Sequence, residues 1–301
     1  MSSTAPKTSL SSTSGTSTPT TTAKLSDYQN AGLDHAPHLA PLKAAKRTPP
    51  TVKPLSIKVN DAADGAVPGF LHLPASRASS GPASKTAAIL LSGAGGGVVG
   101  PSSMYLSIAD KLASLSNGIP VLRLDFRYPA RNKYCVRDTL AAMDWLESEH
   151  NASRFVLVGW SFGGAPVFTV GGADKRVVGC ATVASQTAET EGIRSLAPRP
   201  VLLLHGTGDS TLSPACSERL YAMYGSKGDR KLKLFDGDNH ALSRNALRAE
   251  EMLCEFIMGC AGVTIREDEQ KGVVESELVG DGERVEKMRR GGDLRGRESM
   301  E

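Results

Sequence analysis

The sequence predicts an α/β protein with a mostly parallel, twisted sheet of about eight strands and helices on both faces. Three observations predict this fold class. Apolar runs of strand length alternate with amphipathic stretches of helix length through the middle of the chain. Most of these runs are continuously apolar, as strands are when helices cover both faces of a parallel sheet. The first two runs are joined by a short turn, which predicts an antiparallel N-terminal hairpin.

The predicted elements follow one another in a regular order. The hairpin strands are residues 55–59 and 67–73, with a turn at residues 61–65. The later elements are a strand at 87–91, a helix at 105–115, a strand at 119–126, a helix at 136–149, a strand at 154–159, a short helix after 161, strands at 177–184 and 200–206, a helix at 214–224, a strand at 231–235 and a helix at 241–258. Sheets of this kind bind their ligands at the carboxyl ends of the strands. Catalytic side chains are therefore expected just after strand ends.

These elements lie within residues 52–260, which we interpret as one domain between two tails. Residues 1–51 are rich in Ser, Thr and Pro, and residues 261–301 alternate acidic and basic side chains with few large apolar ones. Both compositions predict disorder. The first segment has no apolar stretch of a secretory signal, and an organelle transit peptide is the alternative to a plain tail. The five cysteines are odd in number and widely spaced, which favours reduced thiols and a cytoplasmic protein.

The composition argues against several kinds of partner. The net charge is +3 with both signs mixed, so neither nucleic acid nor an anionic membrane is predicted as a partner. The longest apolar runs are of strand length, which predicts no membrane span. No metal-ligand spacing occurs, and neither a metal nor a cofactor is expected. The sequence assigns no oligomeric state.

The pentapeptide Gly159-Trp160-Ser161-Phe162-Gly163 is the clearest candidate site. It follows an apolar strand and precedes a run of small residues that predicts a helix. A G-x-S-x-G at such a turn is typical of a nucleophile elbow, which holds a strained serine at the carboxyl end of a sheet. A glycine-rich turn with an incidental serine has the same pattern. The assignment therefore depends on partner residues elsewhere in the chain.

Two later residues supply those partners. A serine becomes nucleophilic when a base takes its proton and an acid orients that base. His240 follows a late strand end, and Asp209 follows the strand before it. Asp236 and Asp238 are rival acids, but they lie too near His240 in the chain to approach its ring easily. The order Ser161, Asp209, His240, each just past a strand, predicts a Ser-His-Asp hydrolase.

Placement just after strand ends also predicts the backbone donors of an oxyanion hole and the residues of the substrate pocket. Two N–H groups should stabilise a developing oxyanion, and we expect these to be Phe162 and, in the loop at residues 92–97, Ala94. Other residues flank the expected strand ends and are candidates to line the substrate pocket. These candidates are Trp160, Tyr105, Arg127, Tyr128 and Leu212, with Met104 and Gln186 beside them. Arg127 is predicted either to bind a substrate carboxylate or to pair with Asp125.

The loop after the third strand also contains a competing motif. Gly95, Gly97 and Gly100 form a G-x-G-x-x-G between a strand and a helix, and Asp125 ends the next strand. This pattern is typical of a dinucleotide site with an acid on the ribose. The preceding hairpin and the unexplained serine, acid and histidine favour the hydrolase. A hydrolase scaffold that serves as a non-catalytic binding module is the other alternative.

With these motifs in hand, residues 52–260 resemble the α/β-hydrolase superfamily. The resemblance is carried by the elbow at residues 159–164, by His205-Gly206-Thr207-Gly208-Asp209 and by Asp238-Asn239-His240. The chain looks most like compact members without a cap, such as dienelactone-hydrolase-like proteins and small esterases. Dienelactone hydrolases use a cysteine nucleophile where this chain has Ser161, and the third-strand loop begins Ser92-Gly93 instead of His-Gly. The resemblance implies hydrolysis of a small-molecule ester or thioester through an acyl-enzyme.

Overall fold

A computed structural model describes residues 49–74 and 84–295 of the 301-residue chain. The predictions for residues 1–48, including the alternative of a transit peptide, lie outside the described residues.

One eight-stranded sheet forms the centre of the described part of the chain, with the strand order β1-β2-β4-β3-β5-β6-β7-β8. The strands are β1 (Thr51–Lys58), β2 (Ala66–Leu73), β3 (Thr86–Leu91), β4 (Val121–Leu124), β5 (Arg154–Trp160), β6 (Val177–Val183), β7 (Val201–Gly206) and β8 (Arg230–Phe235). β1 and β2 form the antiparallel hairpin, β2 pairs antiparallel with β4, and all other pairs are parallel. The predicted fold class is confirmed.

β4 is shorter than the sequence predicts. Pro120 has no N–H to donate to a ladder, and its carbonyl instead accepts the Ala88 N–H at 3.0 Å just before the strand begins. At the other end, the Asp125 side chain turns towards the loop after β3 and accepts the Gly97 N–H. The strand is therefore limited to Val121–Leu124.

Helices cover both faces of the sheet because alternate strand residues point to opposite sides. They are α1 (Met104–Ser114), α2 (Asn132–His150), α3 (Gly164–Ala173), α4 (Ala215–Tyr224), α5 (Ala246–Ala261) and α6 (Asp281–Gly291). Ala88 and Leu90 of β3 pack in one core with α1 and α5, whereas Ile89 and Leu91 pack in a second core with α2, α3 and α4. Within the described residues, no helix combines the length and the apolar character needed to cross a membrane.

The C-terminal segment corrects the prediction of disorder after residue 260. Residues 262–295 are folded and include α6, which packs on the face of the sheet that carries α1 and α5. Five apolar side chains of this segment are buried in the core on that face, and they are Val273, Val274, Leu278, Val279 and Met288. The charged residue Arg284 is buried as well and pairs with Glu250 of α5. The composition of the segment predicted disorder because an average over residues does not show that these apolar side chains all pack in one core.

Candidate active site

Ser161 lies in a strained turn directly after β5. Its φ is +54°, a left-handed conformation that is uncommon for residues other than glycine and is often found at functional sites. A Cβ on Gly159 would lie 2.5 Å from the carbonyl of Gly163, and a Cβ on Gly163 would lie 2.6 Å from the carbonyl oxygen of Ser92. Both glycines are therefore required by close backbone approach. The turn has the geometry of a nucleophile elbow.

Asp209 and His240 meet on the loops that follow β7 and β8. The Nδ1 of His240 donates to Oδ2 of Asp209 at 2.7 Å, and both side chains are fully buried. Asp238 is turned away from the ring, because its carboxylate accepts N–H groups at the start of the next helix. Asp236 is exposed. Of the three acids considered, Asp209 is the one that accepts a hydrogen bond from the His240 ring.

Four donors surround the Asp209 carboxylate. Oδ1 accepts the N–H groups of Thr211 and Leu212, each at 2.8 Å. Oδ2 accepts His240 and also the Nε2 of His205, at 3.0 Å. Burial alone would raise the pKa of Asp209, but the hydrogen bonds from His205, His240 and Leu212 outweigh it and hold that pKa well below its usual value. Asp209 is therefore ionised at neutral pH.

His205 is a second histidine on this carboxylate. Its Nε2 also lies 3.0 Å from the carbonyl oxygen of Leu212, and its Nδ1 lies 2.7 Å from the hydroxyl of Ser217. Carboxylate and carbonyl oxygens only accept, so the ring carries its proton on Nε2 and accepts the Ser217 hydroxyl at Nδ1. His205 thus helps to hold Asp209 in place through the same carboxylate oxygen that accepts His240. His205 and Asp209 are four residues apart at the end of β7, and this spacing is the sequence signal from which their contact could have been predicted.

Trp160, predicted as a substrate contact, is fully buried and packs against His240 instead. Its Nε1 donates to the His240 carbonyl at 3.2 Å, and the two ring centroids are 5.6 Å apart. Because Trp160 precedes Ser161, this contact brings the histidine loop to the elbow. Among the described residues, the Ser161 hydroxyl does not donate a hydrogen bond to Nε2 of His240. Such bonds are often long without substrate and shorten in the reacting complex.

The two predicted oxyanion donors lie in the elbow and in the loop after β3. Phe162 occupies the first turn of the helix after Ser161, where N–H groups have no partner within the helix. Among the described residues, the Ala94 N–H donates no hydrogen bond, and Ala94 is partly exposed. The Ser92 hydroxyl in the same loop is buried and has no hydrogen-bond partner within the described part of the chain. The oxyanion roles of Phe162 and Ala94 stay predictions.

Two further predicted substrate contacts are structural. The Tyr105 hydroxyl donates to the Leu91 carbonyl at 3.0 Å, and its ring is buried. Arg127 pairs with Asp138 at 2.6 Å and with Asp61 at 2.7 Å, so it fastens the hairpin turn to α2. Its predicted alternative partner, Asp125, pairs elsewhere. The sequence correctly indicated an ion pair for Arg127, but the partners lie 11 and 66 positions away along the chain.

Tyr128 and Leu212 remain candidates for the pocket. Both are half-buried in loops at the carboxyl edge of the sheet. Gln186 is half-buried as well, and its N–H donates to the carbonyl of Ser161 at 3.4 Å, whereas Met104 lies in the core.

The glycine-rich loop has no open phosphate cradle. The Gly97 N–H donates to Asp125 at 2.6 Å, and the N–H groups of Val99 and Gly100 donate to Asp293 at 3.0 and 2.7 Å. The donors that a dinucleotide would need are thus occupied by carboxylates of the chain itself, and Asp125 does not face an open ribose site. Among the described residues, no cluster of three His, Cys, Asp or Glu side chains is arranged to hold a metal ion.

Comparisons with known proteins identify the fold. No protein-family model matches the chain, and no curated protein matches it. An esterase from Pyrococcus furiosus has a TM-score of 0.59 at 14% identity, over 70% of this chain and 93% of that one. A dienelactone hydrolase from Anabaena variabilis has a TM-score of 0.55 at 17% identity, over 72% and 99%. The esterase domain of a Rhodothermus marinus protein has a TM-score of 0.54 at 19% identity, over 68% and 97%. The chain has the α/β-hydrolase fold, of the type shared by esterases and dienelactone hydrolase.

Proposed function

We propose that this protein is a serine hydrolase that cleaves an ester or thioester of a small molecule through Ser161, His240 and Asp209. The observation that carries the proposal is the 2.7 Å hydrogen bond from His240 Nδ1 to a buried Asp209, at the same sheet edge as a serine with φ of +54°. An acid that is ionised and a histidine with a fixed tautomer are what a serine nucleophile requires. The esterases that share the fold also support this reaction class.

The first half of the reaction is acylation. Nδ1 of His240 donates to Asp209, so Nε2 carries the lone pair that takes the proton from the Ser161 hydroxyl. The serine oxygen attacks the carbonyl carbon, and the carbonyl oxygen becomes an oxyanion that the N–H groups of Phe162 and Ala94 stabilise. His240 then returns the proton to the leaving alcohol or thiol, and the acyl group stays on Ser161.

The second half is deacylation by water. Nε2 of His240 takes a proton from water, which attacks the acyl carbon through a second oxyanion. The proton passes to the oxygen of Ser161, the acid leaves, and the serine is restored. Asp209 stays ionised throughout and stabilises the imidazolium that forms in each half. Its low pKa, caused by its donors, keeps it in that form.

Covalent labelling with a fluorophosphonate tests the proposal, because only an activated serine reacts with it. We expect the wild-type protein to be labelled and to hydrolyse a short-chain p-nitrophenyl ester. Ser161→Ala should lose both properties, whereas the control Ser148→Ala, at an exposed position of α2, should keep them. A folded wild-type protein that neither labels nor turns over ester would overturn the proposal and favour a non-catalytic binding module.

A further inference from the structure

The C-terminal segment places a buried carboxylate in the glycine-rich loop after β3. Oδ1 of Asp293 accepts the Gly100 N–H at 2.7 Å. Its Oδ2 accepts the N–H groups of Val99 at 3.0 Å and Val98 at 3.2 Å. Three consecutive backbone N–H groups thus converge on one carboxyl side chain. A concave run of backbone donors of this kind is a general anion-binding arrangement.

The loop is shaped around this carboxylate. Gly97 and Gly100 have φ of +104° and +71°, conformations that side chains other than glycine rarely adopt. A Cβ on Gly97 would overlap Asp293, and a Cβ on Gly100 would overlap the ring of Tyr105. Gly97 of the dinucleotide-like motif is therefore required by Asp293, a residue almost 200 positions away in the same chain, whereas Gly100 is required by the nearby ring of Tyr105.

The burial of this carboxyl group depends on its donors. Burial raises the pKa of Asp293 well above its usual value, and the nearby Asp125 carboxylate adds to the rise. The N–H groups of Val99 and Gly100 and the guanidinium of Arg295 act in the opposite direction. A carboxylate without such donors would be unfavourable at this depth. The contact between the loop and Asp293 is therefore reciprocal, since each supplies what the other needs.

Two ion pairs fasten the same segment on either side of Asp293. Arg295 pairs with Asp125 at 2.6 Å, and Asp125 in turn accepts the Gly97 N–H. Arg284 of α6 pairs with Glu250 at 3.1 Å and donates to the carbonyl of Ser102 at 2.8 Å. The segment therefore holds the loop at residues 97, 98–100 and 102.

This loop is continuous with the candidate active site. It begins at Ser92, whose carbonyl lies against Gly163 of the elbow, and it includes Ala94. At its far end, the Ser102 hydroxyl donates at 2.8 Å to the carbonyl of Ala241, the residue after His240. The loop that Asp293 holds thus contacts both the nucleophile turn and the loop of the general base.

We propose that residues 98–100 form an anion site for a carboxylate, filled by Asp293, and that Asp293 is a positioning residue that holds the loop from residue 92 to residue 103 in its catalytic shape. The anion site stands on the geometry alone. The effect on catalysis rests on the proposed hydrolase function.

The variant Asp293→Ala, with formate as a small replacement carboxylate, tests both parts. We expect a lower Tm and faster hydrogen exchange in residues 92–103. We also expect kcat to fall about tenfold while KM changes little, because the oxyanion donor is misplaced. Added formate should raise the Tm and kcat of this variant and slow its exchange, whereas chloride at equal ionic strength should not. Glu286→Ala, which removes an exposed charge from α6, should match wild type and show no response to formate.

Asp293→Asn covers the case in which the alanine variant does not fold. Its amide fills the same space but offers one accepting atom, so we expect reduced kcat and no formate response. A wild-type kcat per fluorophosphonate-labelled site in either variant would overturn the positioning role. A folded Asp293→Ala whose Tm ignores formate would overturn the anion site. If wild type itself is not labelled, the hydrolase proposal fails, while the formate-dependent Tm still measures the anion site.

Discussion

Replacing Asp209 with Asn changes one atom at the centre of the candidate site. The carboxylate accepts four hydrogen bonds: two backbone N–H groups on Oδ1, and His205 and His240 on Oδ2. An amide offers one accepting oxygen and one NH2 group. A backbone N–H cannot reverse its role, whereas a neutral histidine can move its proton to the other ring nitrogen. The amide oxygen should therefore face the backbone, and its NH2 group should face the two histidines.

This orientation forces His240 to accept at Nδ1 and to carry its proton on Nε2. The ring then has no lone pair towards Ser161, and it cannot act as the general base. A wrong tautomer of this kind lowers kcat by a factor on the order of 10⁴. KM should change little, because Asp209 lies behind the histidine and is only 8% exposed. The lost hydrogen bonds should also lower the free energy of unfolding by about 1–3 kcal/mol.

The assay is steady-state hydrolysis of a short-chain p-nitrophenyl ester, with circular dichroism to show that the variant is folded. Asp236→Asn is the matched control, since Asp236 is an exposed acid on the loop that carries His240. The control should retain wild-type kcat. A folded Asp209→Asn variant with kcat within tenfold of wild type would refute the assignment of Asp209 as the orienting acid.

Three other outcomes follow from the geometry. Gly163→Ala should abolish labelling and lower Tm, because its Cβ would lie 2.6 Å from a backbone oxygen, whereas Gly259→Ala, with nothing within 4 Å, should leave labelling intact and raise Tm slightly. The pKa of Asp209 is lowered in the folded protein. Its carboxylate therefore stabilises the folded state fully above about pH 4, and this stabilisation is lost as the pH falls through the pKa of the folded state. Urea unfolding should therefore show a wild-type advantage over Asp209→Asn that shrinks below pH 4, and a constant difference would contradict this. Glu250→Gln should lower the free energy of unfolding by about 3–5 kcal/mol, since it leaves the buried Lys111 without the charged partner that lies 2.7 Å away; a loss near zero would contradict it.

The fold was predictable because its signals are local. Continuous apolar runs such as residues 87–91 and 201–204 became central strands buried on both faces. Ser161, Asp209 and His240 could be selected because parallel strands bring their carboxyl ends to one edge. The structure brings Asp209 and His240 together there, and the catalytic roles of all three residues stay predictions.

Side-chain partners were less predictable because they depend on distant parts of the chain. The type of Arg127 indicates an ion pair, yet its partners Asp61 and Asp138 come from the hairpin turn and from α2. Trp160 flanks the elbow as a pocket residue would, but its indole is directed to the His240 carbonyl. Placement at a strand end indicates that a residue is near the site. It does not determine whether the side chain faces the substrate or supports the loops.

The G-x-G-x-x-G of the third-strand loop shows why one pattern supported two functions. Glycines at positive φ and converging N–H groups serve a dinucleotide phosphate and a carboxylate equally well. What distinguishes them is the anion that occupies the donors, and here that anion is Asp293 from a segment whose composition predicted disorder. A local motif therefore specifies a backbone shape, and the identity of its ligand depends on a residue that the motif does not contain. If Asp293 holds this loop, the C-terminal segment is part of the hydrolase domain, and a boundary drawn at residue 260 would remove a determinant of the candidate oxyanion site.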